Sequence, residues 1–234
     1  EEATIADLKN TAAKWLSKGK HVLICNPFPE YGIVESSVDR SKLPELGPQK
    51  SSQFPELQRT QLSNGLNVIL AQRKGVPTIV INLVADAGYK TDYLSSPGTA
   101  KLAMNLMDEG TKDMDALEIN EQLQLLGASL NTFSSQDESN VYMTTLKPSL
   151  DASLDLFLDV VLNPVFPEKE FERLRDEQIN DIKQEKSQPI SMALRVMNKY
   201  LYGDDHPYSS PYTGTGYEET VSQLTRQDVV NFYN

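Results

Sequence analysis

The sequence predicts an α+β fold, a mainly antiparallel sheet with helices packed on it, and three features of the chain carry that expectation. Arg59 to Leu70 places Asn64-Gly65 between two alternating apolar runs, the signal of a two-residue hairpin. Thr78 to Ala85 (TIVINLVA) is a β-branched run long enough for a central strand. From Leu102 onwards, apolar residues recur at helical spacing in several separate segments.

Taken in order, Thr4 to Leu16 carries Ile5, Leu8, Ala12 and Leu16 on one helical face, with Thr4 placed to cap it and Gly19 to stop it. His21 to Cys25 reads as a short strand, ended by Asn26-Pro27-Phe28-Pro29. From Tyr31 to Pro55 the apolar periodicity is lost and Pro44, Gly47 and Pro48 accumulate among Ser, Lys and Glu, which predicts a semi-extended linker. The hairpin and the Thr78 strand open the main domain. Leu102, Ala103, Leu106 and Met107 then predict a buried helix behind the loop residues Pro97 and Gly98. Asp115 to Leu126 is a second helix, with Gly127 as its stop. Gly127–Ser135 and Ser139–Met143 read as two further strands, followed by helices over Pro148–Leu162, Glu168–Lys186, Ser191–Tyr202 and Leu224–Tyr233.

Composition narrows the function. The 234 residues are 39% hydrophobic, enough for a sizeable core. No apolar run approaches the roughly twenty residues of a membrane span. A net charge of −11 argues against nucleic acid, whose phosphates require clustered Lys and Arg. The single cysteine, Cys25, excludes an internal disulfide and any multi-cysteine zinc site, and its apolar run Val22-Leu23-Ile24 predicts a buried, inert thiol. No Gly-x-Ser-x-Gly is present, and the two histidines, His21 and His206, stand at no helical spacing from another ligand. His206 before Pro207 reads as a structural turn residue.

The stretch Pro97–Thr111 (PGTAKLAMNLMDEGT) gives the sharpest functional signal. Its leading Gly98-Thr99-Ala100 and trailing Gly110-Thr111 resemble the frame of the M16 (insulinase/pitrilysin-like) metallopeptidases, in which an inverted His-x-x-Glu-His lies between such residues. That chemistry needs two imidazoles one turn apart to hold zinc and a carboxylate to take a proton from the zinc-bound water. Here the three positions are Lys101, Met104 and Asn105. An ammonium repels a divalent cation, an amide is a poor zinc ligand and a thioether is no base.

Further segments carry the same resemblance. Gly127-Ala128-Ser129-Leu130-Asn131-Thr132-Phe133-Ser134-Ser135 is similar to the family's Gly-Ala-x-x-Asn-Ala-x-Thr-Ser strand. Asn163-Pro164-Val165-Phe166, His206-Pro207-Tyr208, Gly214-Thr215 and the Leu224–Tyr233 helix follow in the family's order. The resemblance implies a third zinc ligand on the long helix, roughly seventy-five residues past the second His, which falls at Asp181. A lone carboxylate there is either a solvated helix charge or a contact to Lys101. A supporting carboxylate of active members falls at Leu174.

From the resemblance come several expectations. Residues 1–30 are the tail of a preceding M16 domain, 31–56 a linker, and 57–234 the first part of a degenerate M16 domain whose closing strands lie beyond Asn234. No catalytic residue and no metal are expected in this segment, with zinc held instead by a catalytic half of the same chain or of a partner chain. The two halves would enclose a chamber for peptide substrates, in a bacterial and periplasmic setting. In catalytic halves peptide adds as a strand to a sheet edge, and the matching residues, Asn131, Thr132 and Phe133, are either such a groove or an ordinary strand. A catalytically dead homologue retained for assembly is the alternative.

Overall fold

The computed structural model describes residues 4–17, 19–20, 22–24, 41, 47, 55–73, 75–94 and 96–234. The chain divides into two compact units, Glu1–Pro55 and Glu56–Asn234. In the first, α1 (Ile5–Leu16) starts at Thr4, whose hydroxyl accepts from Asp7 N while its own N–H donates to the Asp7 carboxylate. This reciprocal pair satisfies two of the helix's orphan donors. None of the helix is buried within its unit. Val22, Leu23 and Ile24 form no strand and are exposed, contrary to the expected strand, while His21, Cys25 and nearly all of the expected linker lie outside the described residues.

In the second unit β1 (Leu57–Gln61) and β2 (Asn67–Ala71) pair antiparallel, with Gln61 opposite Asn67. The connection is not the expected two-residue turn. Leu62 N donates to Leu66 O and Gly65 N to Leu62 O, both at 2.9 Å, so Ser63, Asn64 and Gly65 form a three-residue loop. Gly65, at φ +90°, takes the left-handed position that this longer loop requires.

The second sheet is antiparallel in the order β3-β5-β4, from β3 (Thr78–Ala85), β4 (Ser129–Ser134) and β5 (Ser139–Leu146). Among the described residues β3 therefore occupies an edge, not the centre its length suggested. The central strand is β5, in which the successive residues Asn140 and Val141, facing opposite sides, are both buried. On β3, exposed Val80 and Val84 alternate with half-buried Ile81 and Leu83.

The helices are α2 (Thr99–Leu106), α3 (Ala116–Leu126), α4 (Leu150–Leu162), α5 (Glu168–Ser187), α6 (Pro189–Tyr202), α7 (Glu218–Val221) and α8 (Arg226–Tyr233). Gly127 ends α3 at φ +62°, in the left-handed cap its position predicts. α4 starts at Leu150, because Lys147–Ser149 around Pro148 forms a separate 3-10 turn.

The core has two parts, and α2 lies between them. Met104 and Met107 pack with Ile119, Leu123, Leu130, Val141, Met143, Leu156, Phe157 and Val160, against the sheet, α3 and α4. Leu102, Ala103 and Leu106 pack with Phe166, Phe171, Ile182, Val221, Leu224 and Val229, against α5, α7 and α8. Full burial of Leu102 and Leu106 stabilises the fold by about 1.5–3 kcal/mol each. Only one narrow face of α2 remains partly open, and it carries Lys101 and Asn105.

Candidate functional site

Polar groups fix the N-terminus of α2 tightly. Gly98 precedes the helix at φ +106°, and no side chain on that residue caps it. The cap comes instead from Asp92, on the preceding 3-10 turn Tyr89–Leu94, whose two carboxylate oxygens accept from Gly98 N at 2.8 Å and Ala100 N at 2.9 Å. A carboxylate facing free N–H groups at a helix start is favoured electrostatically. Asp92 is nevertheless buried, and burial outweighs these bonds, pushing its carboxyl up to about 7.

Around the same turn, buried Gln178 of α5 donates from Nε2 to Gly98 O and Thr215 O, each at 3.0 Å. A Cβ at Gly98 would lie 2.7 Å from Val221 Cγ2 and 2.9 Å from that amide nitrogen, so only glycine fits. Arg195 of α6, 5% exposed, donates to Glu185 Oε2 (2.5 Å), Thr215 Oγ1 (2.6 Å) and Gly216 O (2.5 Å). Thus the Gly98 and Gly214-Thr215 motifs, distant in sequence, meet at one buried polar hub. Tyr89, whose hydroxyl donates to Tyr212 O at 2.7 Å, joins it from the other side, and burial pushes that phenol up to about 12.

The residues expected at zinc-motif positions, Lys101, Met104 and Asn105, lie on this helix. Lys101 and Asn105 are one turn apart, half-buried on the same face. Met104 points into the core and lines an apolar groove of about 430 Å³ with Ala103, Met107, Phe166 and Phe232. Asp181 is exposed on α5, one residue before buried Ile182, and forms no ion pair with Lys101. Leu174 packs against the α2–α5 core cluster. Among the described residues, no three His, Cys, Asp or Glu side chains are grouped so as to hold a metal ion.

β4, by contrast, is brought close to α2. Thr132 Oγ1 lies 3.5 Å from Asp108 Oδ1, just past the end of the helix, and burial raises the Asp108 carboxyl above its ordinary value. Thr132 lies across from Val141 and shares its face, whereas Asn131 and Phe133, across from Tyr142 and Asn140, turn to the open face of the sheet. Among the described residues the strand order leaves the outer edge of β4 unpaired, with Phe133 45% exposed.

Sequence reasoning did not find Asp92, Gln178, Glu185 or Arg195. The signal available was weak: Arg195 and Asn198 lie at helical spacing on α6 and could have been read as an inward polar stripe, but a polar stripe is ordinarily solvated. His206 does act in a turn, its Nδ1 accepting from Tyr208 N at 3.1 Å.

Fold and site together define a class: an α+β domain in which α2, entered through Gly98, is a packing element between two core clusters over an antiparallel sheet. The chain belongs to the insulinase family, peptidase family M16, whose family model matches residues 67–209. Among curated proteins it is similar to the mitochondrial-processing peptidase subunit beta of Rattus norvegicus, 26% identical over 83% of this chain and 39% of that protein. It is also similar to subunit 1 of the mitochondrial cytochrome b-c1 complex of Bos taurus, 26% identical over 79% of this chain and 38% of that protein. The chain thus spans about two fifths of the length of these relatives. Among solved structures, the peptidase M16 inactive domain from Pseudomonas fluorescens superposes with a TM-score of 0.72 at 24% identity, covering 76% of this chain and 43% of that one.

Proposed function

We propose that this chain is part of the non-catalytic half of an M16 zinc metallopeptidase, forming a wall of the substrate chamber opposite a catalytic half that holds the zinc. The observation that carries this reading is the state of α2. The helix keeps its glycine entry, its cap and its packing on both sides, while the positions of two imidazoles and a carboxylate hold Lys101, Asn105 and Met104. Retention of the scaffold without the chemistry fits a surface that matters for shape. Peptide would add along the free edge of β4 at Asn131, Thr132 and Phe133, bonded through its backbone.

Two measurements test this. Metal analysis after dialysis should give far less than one zinc per chain, and stoichiometric zinc lost on Asp181→Ala would overturn the reading. The catalytic half of the parent protein, assayed on a quenched fluorescent peptide, should gain most of its turnover when the complete second half is added, because positioning supplies much of the rate. Thr132→Pro, which removes a backbone donor, should raise KM, and Lys101→Ala should leave it unchanged. The similarity to a respiratory-complex subunit favours a second reading, an assembly scaffold. A catalytic half fully active alone would select it.

A further inference from the structure

α6 is amphipathic in the reverse sense. The face it turns to the body of the domain is mainly polar, with Arg195 and Asn198 buried and Ser191 and Leu194 half-buried. Its outward face carries Ile190 (78% exposed), Met192 (40%), Val196 (36%), Met197 (37%), Tyr200 (86%) and Leu201 (67%). At about 100° per residue these side chains and Ala193 cover roughly half the circumference of the helix. An ordinary surface helix buries such a stripe and solvates the polar one.

The orientation is locked. Arg195 bonds Glu185, Thr215 and Gly216, and Asn198 Nδ2 donates to Ser210 O at 3.2 Å. Turning the apolar face inward would carry the Arg195 guanidinium out to solvent and leave Glu185, Thr215 and the Gly216 carbonyl without it, at several kcal/mol. The exposed stripe is therefore a fixed product of the fold. Tyr and Met are the residues enriched in protein–protein interfaces.

We propose that the outward face of α6 docks a helix of a partner protein whose apolar stripe is edged by lysine or arginine. Charge selects this occupant. The one lysine on the helix, Lys199, is paired with Asp204 at 2.7 Å and Arg195 with Glu185, so α6 presents no unpaired cation among the described residues. The chain as a whole carries −11, which sets a second copy against itself and draws a basic surface. The stripe runs the length of Ile190–Leu201, roughly 18 Å of helix, a span that one partner helix can cover in ridges-into-grooves packing.

The test is fluorescence anisotropy of the chain with a labelled amphipathic Leu/Lys helical peptide, and with its counterpart carrying Glu for Lys, at about 0.15 M and about 0.5 M salt. The Leu/Lys peptide should bind about tenfold tighter than the Leu/Glu peptide and keep most of its affinity in the higher salt. Met197→Ser combined with Leu201→Ser should weaken it about tenfold, and Leu125→Ser, at an exposed leucine of α3, should not change it. Loss of all binding in high salt, or equal binding by both variants, would overturn the proposal. So would sedimentation showing a dimer that the α6 variant dissolves, since the face would then belong to a second copy.

Discussion

At the scale of single residues, the buried groups at the start of α2 make this domain sensitive to pH. The folded-state carboxyl of Asp92 titrates near 7, above its unfolded value, because burial disfavours the charge more than the Gly98, Ala100 and Thr99 N–H groups favour it. Its contribution to stability is therefore complete below the unfolded pKa, near 4, and is lost as pH rises towards 7, at up to about 1.4 kcal/mol per pH unit. Urea unfolding between pH 4 and 8 should show this decline in the wild type and a nearly flat profile in Asp92→Asn. An equal slope in both would assign the pH dependence elsewhere. Lys101 behaves differently: it makes no ion pair among the described residues, so Lys101→Ala should change the urea midpoint by no more than about 0.5 kcal/mol equivalent. Met104→Ala, on the same helix but in the core, should cost on the order of 2 kcal/mol.

At the scale of elements, the entry to α2 is the most exacting point. Gly98→Ala would force a Cβ at φ +106° against Val221 and Gln178, and should destabilise by on the order of 2–4 kcal/mol, read as a lower urea midpoint at unchanged slope. Most elements were legible in the sequence because each declares itself locally, as α3 does through Asp115, its apolar period and Gly127. What was not legible depends on partners distant in the chain. The edge position of β3 follows from β5 pairing with β3 on one side and β4 on the other, which no pattern within Thr78–Ala85 encodes. The three-residue loop at Gly65 differs from the two-residue turn by one backbone bond, Leu62 to Leu66. The polar hub joining Asp92, Gln178 and Arg195 could not be read from the sequence, since its members come from three separate segments.

At the scale of the whole molecule, the composition of residues 31–55 predicts backbone open to proteases. Limited proteolysis followed by mass spectrometry should show first cuts there and a persisting product close to Glu56–Asn234. First cuts inside β3 to α8 would contradict this. The clasp around Gly98 also bears on how the chain is made. Thr220 Oγ1 donates to Pro97 O across 123 residues, and Val221 packs into the cluster that holds Leu102 and Leu106. At about 5–20 residues per second, roughly 6 to 25 s of synthesis separate the appearance of α2 from that of the residues that close over it. Throughout that interval the nascent α2 stripe has no complete shelter, so a ribosome paused between α5 and α7 would hold a sticky chain, the form most in need of a chaperone.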